Sequence, residues 1–99
     1  MKVRWTEKAT TDLLSLWEYV ASQSPVYADI VSEKLLQSPD RLIEYPRSGA
    51  IVPEYQRDDL REICVYSFRV IYRIVDSEIH ILGVIHGARQ FPPQDELEI

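Results

Sequence analysis

Ninety-nine residues are enough for one domain that closes a modest core without staples. No apolar run approaches a membrane span, and a single cysteine with two histidines argues against an internal disulfide or a structural zinc site. A net charge of −5 speaks against unspecific nucleic-acid binding, which needs a basic footprint.

The chain opens on Lys2 to Trp5, which alternates polar and apolar and predicts a short strand. The opening residues lack the apolar stretch of a signal peptide, so the expected location is the cytoplasm. Thr6 is a good N-cap, and Glu7 in the first turn suits the helix dipole. Ala9, Leu13, Leu16, Trp17, Val20 and Ala21 then recur at helical spacing and define one buried stripe. Ser24-Pro25 ends this helix and starts another, whose buried face carries Ala28, Val31, Leu35 and Leu42, with Ile30 and Ile43 beside it. Pro39 should kink or restart that helix, with Ser38 as a new cap. So short a connection makes the two helices an antiparallel hairpin.

Tyr45-Pro46-Arg47-Ser48-Gly49 is a strong stop, followed by a loop to about Asp59. Three strands are predicted next, over 60–66, 68–75 and 78–86. Asp76-Ser77 reads as a tight hairpin turn, whereas Ser67 is a less typical turn residue. Cys64, inside a strand pattern, is expected to be a small buried hydrophobe. Residues 90–99 form an acidic tail containing Pro92 and Pro93, with Asp95, Glu96 and Glu98 near its end. The fold class is α+β: an N-terminal strand, an antiparallel helix hairpin and a three-stranded antiparallel meander, packed as a two-layer sandwich in one domain over 1–99.

The run from Ser67 to Val75 organises the chain. Alternation places Phe68, Val70, Tyr72 and Ile74 on one face, expected to meet the helices through Leu13, Trp17, Val31 and Leu35. The other face carries Arg69, Ile71, Arg73 and Val75 and is expected to stay open. One reading is a solvated face whose arginines pair with nearby carboxylates. The other is a basic, partly concave face that grips an anion, with Arg61, Arg69 and Arg89 converging and His86 close by. There is no Gly-rich phosphate loop, no Ser/His/Asp order, no carboxylate pair and no metal-ligand spacing, so no cofactor is expected.

Trp5-Thr6-Glu7-Lys8-Ala9 with Asp12-Leu13, Tyr45-Pro46-Arg47-Ser48-Gly49 and Val52-Pro53-Glu54 match a known pattern in order and spacing. So do Leu60-Arg61-Glu62-Ile63, Phe68-Arg69-Val70-Ile71-Tyr72-Arg73-Ile74 and Ile81-Leu82-Gly83-Val84-Ile85-His86-Gly87-Ala88-Arg89. Through these the whole chain resembles the RelE/ParE superfamily of bacterial type II toxins. The resemblance implies a compact toxin held inactive by a cognate antitoxin, a segment of which wraps it. That segment is expected to add a strand to an exposed edge or lay a helix on apolar surface near Trp17 or Phe91.

Two activities divide the superfamily. RelE-like members cleave messenger RNA on the ribosome, where basic groups and usually a tail tyrosine assist attack of the 2′-hydroxyl on its own phosphate. ParE-like members poison DNA gyrase. Arg69 and Arg89 match the arginines that RelE-like enzymes set on the scissile phosphate, and Arg61 matches a basic residue on the preceding strand. A second basic residue expected two positions on meets Ile63, and no tyrosine follows Arg89. Acid–base work would then fall to His86. The Val-Pro-Glu loop, the Arg-Glu-Ile strand and the His-Gly-Ala-Arg ending look more like the ParE branch. The expected function is therefore non-enzymatic inhibition of DNA gyrase, with Arg61, Arg69, Arg73 and Arg89 as target- or antitoxin-binding groups. The alternative is a ribosome-dependent endoribonuclease using Arg69, Arg89 and His86, and the third reading is a non-toxic antitoxin-binding module. No membrane and no sequence-specific DNA binding by the toxin alone is expected.

Overall fold

The computed structural model describes residues 1–87. The predicted tail over 90–99, with Phe91, lies outside the described residues, as does Arg89. Strand β1 (Lys2–Trp5) leads into helix α1 (Glu7–Ala21) and helix α2 (Pro25–Gln37), which a 3₁₀ turn over Ser38–Ile43 extends. Then come β2 (Ala50–Ile51), β3 (Leu60–Val65), β4 (Phe68–Val75) and β5 (Glu78–His86). The five strands form one mixed sheet in the order β1-β5-β4-β3-β2. Among the described residues its one parallel pair is β1 with β5, which a crossover through both helices permits.

Thr6 ties the first strand to both layers. Its Oγ1 accepts the Ala9 amide (3.2 Å) as an N-cap and donates to the Ile81 carbonyl of β5 (2.8 Å). Ala9 is fully buried at the point where α1 meets β5, so a larger side chain there would separate the layers. Ser24 caps α2 through the Tyr27 amide, with Pro25 at the first turn. Pro39 does stop α2, but Ser38 is no new cap: its Oγ donates to the Leu35 carbonyl and closes the old helix. The Pro ring is buried, and the tighter 3₁₀ turn tucks Leu42 into the core.

The helix-facing core joins Val31, Leu35 and Leu42 to Ile63, Val70, Tyr72, Ile79, Ile81 and Val84, with Leu13 and Leu16 packed at its margin. At about 1.5–3 kcal/mol per fully buried aliphatic side chain, this cluster is the main stabilising term. Trp17 departs from expectation. It is 38% exposed, and its indole N–H reaches across the hairpin to Asp29 (2.9 Å), so it pins the two helices at their rim. Ile30 and Ile43 are likewise on the surface.

The apolar run Ile81 to Ile85 breaks the period of two, and a bulge accounts for it. Ile71 sits opposite Gly83 while Tyr72 sits opposite Ile81, so Leu82 is the extra residue of β5. Ile81 and Val84 then face the helices while Leu82 and Ile85 face the other way. The Val84 amide is taken by the Asp12 carboxylate of α1 (3.0 Å), which also holds Lys8. A polar position off the apolar stripe thus satisfies a backbone donor of the bulged strand.

Candidate functional site

The register of the β3–β4 hairpin decides where the arginines go. A two-residue turn, Tyr66-Ser67, opens with Tyr66 in the left-handed region (φ 54°) and sets Val65 opposite Phe68. Cys64 then lies opposite Arg69, Arg61 opposite Tyr72 and Leu60 opposite Arg73. Residues opposite one another share a face. Arg61 is therefore on the Tyr72 face, and Arg69 and Arg73 are on the other. His86 lies opposite Phe68, on the Tyr72 face as well. The expected convergence of Arg61 and Arg69 beside His86 is split across the sheet.

The second face is neither open nor bare. Val52, Leu60, Ile71, Leu82 and Ile85 make a second apolar cluster there, with Tyr55 packed against it. The reason is the segment before β3, which holds a short strand where a plain loop is expected: Ala50 and Ile51 pair with Glu62 and Arg61 and fold Val52 inward.

Arg69 runs beside this cluster with only 15% of its side chain exposed. Its Nε and Nη2 fork onto Glu62, and its Nη1 (2.9 Å) and Nη2 (2.8 Å) fork onto Glu54. Two carboxylates on one guanidinium raise its already high pKa further, with Glu54 the larger cause and Glu62 next. In return, Arg69 holds the Glu54 carboxyl below the usual carboxylate range. Arg73 pairs with Asp59 (3.1 Å), which also takes Arg57 (2.7 Å). Arg57 first and Arg73 second lower the Asp59 pKa. Among the described residues three arginines thus meet three carboxylates, so Arg57, Arg69 and Arg73 are each matched by a carboxylate.

Arg61 does different work on the helix side. Its guanidinium, 12% exposed, donates to the carbonyls of Arg47 (3.2 Å), Gly49 (2.9 Å) and Asp58 (2.9 Å) and pairs with the Asp58 carboxylate. Tyr72 completes the clamp: its hydroxyl donates to the Pro46 carbonyl (2.7 Å) and accepts the Gly49 amide (3.1 Å). Burial pushes the Tyr72 phenol up, so the hydroxyl stays a donor. Gly49 is required here, because a Cβ would stand 2.6 Å from both the Glu62 carbonyl and the Tyr72 hydroxyl. The Tyr45-to-Gly49 stretch is therefore a structural knot between loop and sheet.

His86 is exposed at the end of β5, edge-on to the Phe68 ring (5.2 Å between centroids) and 3.4 Å from the Ser67 hydroxyl. Cys64 corrects another expectation. It is exposed, because it falls on the Arg69 side of β3 at the end that β2 does not cover. Among the described residues no group of His, Cys, Asp and Glu could hold a metal ion. No helix among them is long and apolar enough to cross a membrane.

Glu54, Glu62, Asp58 and Asp59 are the partners that sequence reasoning passed over. Glu62 carried a readable signal, since it lies diagonally across from Arg69 once the hairpin is drawn. Glu54 arrives from a loop, and no strand pattern points to it.

Comparison with known proteins agrees along nearly the whole chain. The sequence profile described as the ParE toxin of the type II toxin–antitoxin system, parDE, matches residues 3–91. The toxin RelE2 of Caulobacter vibrioides is 34% identical over 89 residues, spanning 89% of this chain and 97% of that toxin. Among solved structures, the chromosomal ParDE system of P. aeruginosa superposes with a TM-score of 0.72 at 25% identity, over 87% of this chain and 95% of that one. The toxin–antitoxin complex RelBE2 of Mycobacterium tuberculosis gives 0.55 at 25% identity, over 86% and 95%. The α+β fold is that of these proteins, and the chain belongs to the ParE toxin family within the RelE/ParE superfamily of type II toxin–antitoxin toxins.

Proposed function

We propose that this toxin arrests growth by binding DNA gyrase in the cytoplasm, without hydrolysing a substrate, and that a cognate antitoxin neutralises it. The observation that carries the reading is the state of Arg69. Its guanidinium is occupied by Glu54 and Glu62, and Arg61 and His86 fall on the opposite face. A scissile phosphate needs uncompensated donors and a proton-transfer group on one side of it. A phosphate brought to Arg69 would meet two carboxylates first. Arg61, Arg73 and Arg69 then serve as shape-giving and contact groups. The ParDE and RelBE2 structures, both toxin–antitoxin assemblies by title, support a protein antitoxin as partner.

The name of the RelE2 relative favours a second reading, ribosome-dependent cleavage of messenger RNA. That activity would require Arg69 to leave both carboxylates, with Arg89 and His86 supplying the remaining chemistry.

The test is supercoiling by purified gyrase titrated with the purified toxin. Inhibition near stoichiometry, relieved by the antitoxin, is the expected result. Undiminished supercoiling at excess toxin would overturn it. Failure to arrest growth on unopposed expression would instead leave only an antitoxin-binding module.

A further inference from the structure

The sheet face turned away from the helices is not charged alike along its length. Around Arg69 the acids prevail, with Glu54 and Glu62 sharing one guanidinium. At the other end, where β4 turns into β5, the balance reverses. Register sets Arg4 of β1 beside His80 of β5, and His80 beside Arg73 of β4. Lys2 lies on the same face, beside Glu78. Three basic side chains thus stand abreast on three neighbouring strands, an arrangement that gains nothing from cross-strand pairing.

Two carboxylates serve this group. Asp59 is shared by Arg57 (2.7 Å) and Arg73 (3.1 Å). Glu78 takes the His80 ring (2.8 Å) and meets Arg4 only at 3.8 Å. Its carboxyl is held below the usual range by the His80 hydrogen bond first, then by the charges of Arg4 and Lys2. Asp76, in the adjoining turn, makes no ion pair among the described residues. Even with Asp76 counted, Lys2, Arg4, Arg57 and Arg73 outnumber the acids, on a chain of net charge −5. β1 is the last strand on its side of the sheet, and the Arg4 side chain is 62% exposed, so the row runs out to an accessible rim.

We infer that this end of the sheet lies against the phosphate backbone of the DNA that gyrase holds, with Lys2, Arg4 and Arg73 on phosphates and no base read. The inference rests on the gyrase reading above and deepens it by adding DNA to what the toxin touches. Strands stand about 4.8 Å apart, so the row from Arg73 to Arg4 spans about 10 Å. A DNA strand advances about 3.4 Å per phosphate, so that span faces about three of them. Evenly spaced cations fit such a backbone better than the irregular acids of a protein surface, and arginine's forked donors suit phosphate oxygens. The chain's overall negative charge keeps the contact too weak to hold DNA alone, so it acts only where gyrase brings the two together.

The experiment measures the affinity of full-length toxin for purified gyrase, with and without linear duplex DNA bound, over a range of salt. Wild-type toxin should bind gyrase with DNA more tightly than gyrase alone. The Lys2→Gln/Arg4→Gln variant should lose about tenfold or more of its affinity for gyrase with DNA and keep its affinity for gyrase alone. The slope of log affinity against log salt, measured with DNA, should shrink by about two for the loss of two phosphate contacts. Should the double variant unfold, Arg4→Gln alone carries the test, with a slope smaller by about one. Equal losses with and without DNA would overturn the inference, because this end would then meet an acidic surface of gyrase itself. Full affinity of the variant in both cases, with an unchanged slope, would also overturn it and leave the gyrase reading intact. Wild-type toxin that binds gyrase in neither form would remove the gyrase reading itself.

Discussion

The two faces of the sheet bury apolar side chains by different means. On the helix side, ten buried residues from the sheet, the two helices and the 3₁₀ turn interlock, and the buried Tyr72 hydroxyl is satisfied by the backbone of the 46–49 turn. On the other side a smaller cluster, Val52, Leu60, Ile71, Leu82 and Ile85, is flanked by ion pairs from Arg69 and Arg73 to loop and strand carboxylates. The first face depends mainly on packing, which pH and salt barely touch, with the Arg61–Asp58 pair at its rim. The second depends partly on charges, which both can change. A basic strand pattern on such a sheet is therefore not by itself a binding surface: the carboxylates that meet it decide.

The largest way to break this contrast is Tyr72→Ala, expected to cost about 3–5 kcal/mol in urea unfolding because the ring is fully buried. Tyr72→Phe keeps the ring and strands the Gly49 amide and Pro46 carbonyl, at about 1–3 kcal/mol. Equal costs for the two variants would mean that the hydroxyl, not the packing, sets stability on this face. Arg69→Ala comes next, at about 1–3 kcal/mol, between the small worth of an exposed pair and the larger cost of breaking a buried one. It should leave Glu62 uncompensated at 12% exposure. A Glu62→Gln change in that background should recover part of the loss, and no recovery would contradict the pairing.

Acid sharpens the contrast further. On the second face Glu54, Asp59 and Glu78 have lowered carboxyl pKa values in the folded protein, each first through a hydrogen bond from Arg69, Arg57 and His80 respectively. A lowered folded pKa contributes stability above the unfolded value near 4, and that stability is lost as pH falls through the folded values. Stability should therefore decline below about pH 4, and Glu54→Gln should flatten the decline. An identical acid limb in that variant would count against the Arg69–Glu54 fork. The smallest effect is expected from Asp12→Ala, which frees the Val84 amide at about 1 kcal/mol. Its signature is faster exchange at that amide with the rest of β5 unchanged.

Much of the fold was legible because its signals are local. Thr6, Ser24 and Pro25 mark helix starts by capping chemistry, and alternation over Phe68 to Ile74 marks the central strand. The five-residue apolar stretch from Ile81 exceeded what a period of two explains, and the bulge that resolves it is visible only against β4. The site was less legible. The opposed faces of Arg61 and Arg69 follow from a two-residue turn at Tyr66-Ser67, but neither residue advertises that turn. Glu54 meets Arg69 from 15 residues away, through a loop that folds because Val52 finds Leu60 and Ile71. The exposure of Cys64 likewise depends on where β2 stops, a matter of loop length and not of the residue itself.

The central claim is that Arg69 is held by Glu54 and Glu62 and cleaves nothing. Its most direct test runs gyrase supercoiling and cleavage of messenger RNA on programmed ribosomes in parallel, over one range of purified toxin. The account predicts that supercoiling fails while the message stays whole. A message cut on the ribosome with supercoiling intact would contradict it, and would require Arg69 to release both carboxylates on the way to the phosphate.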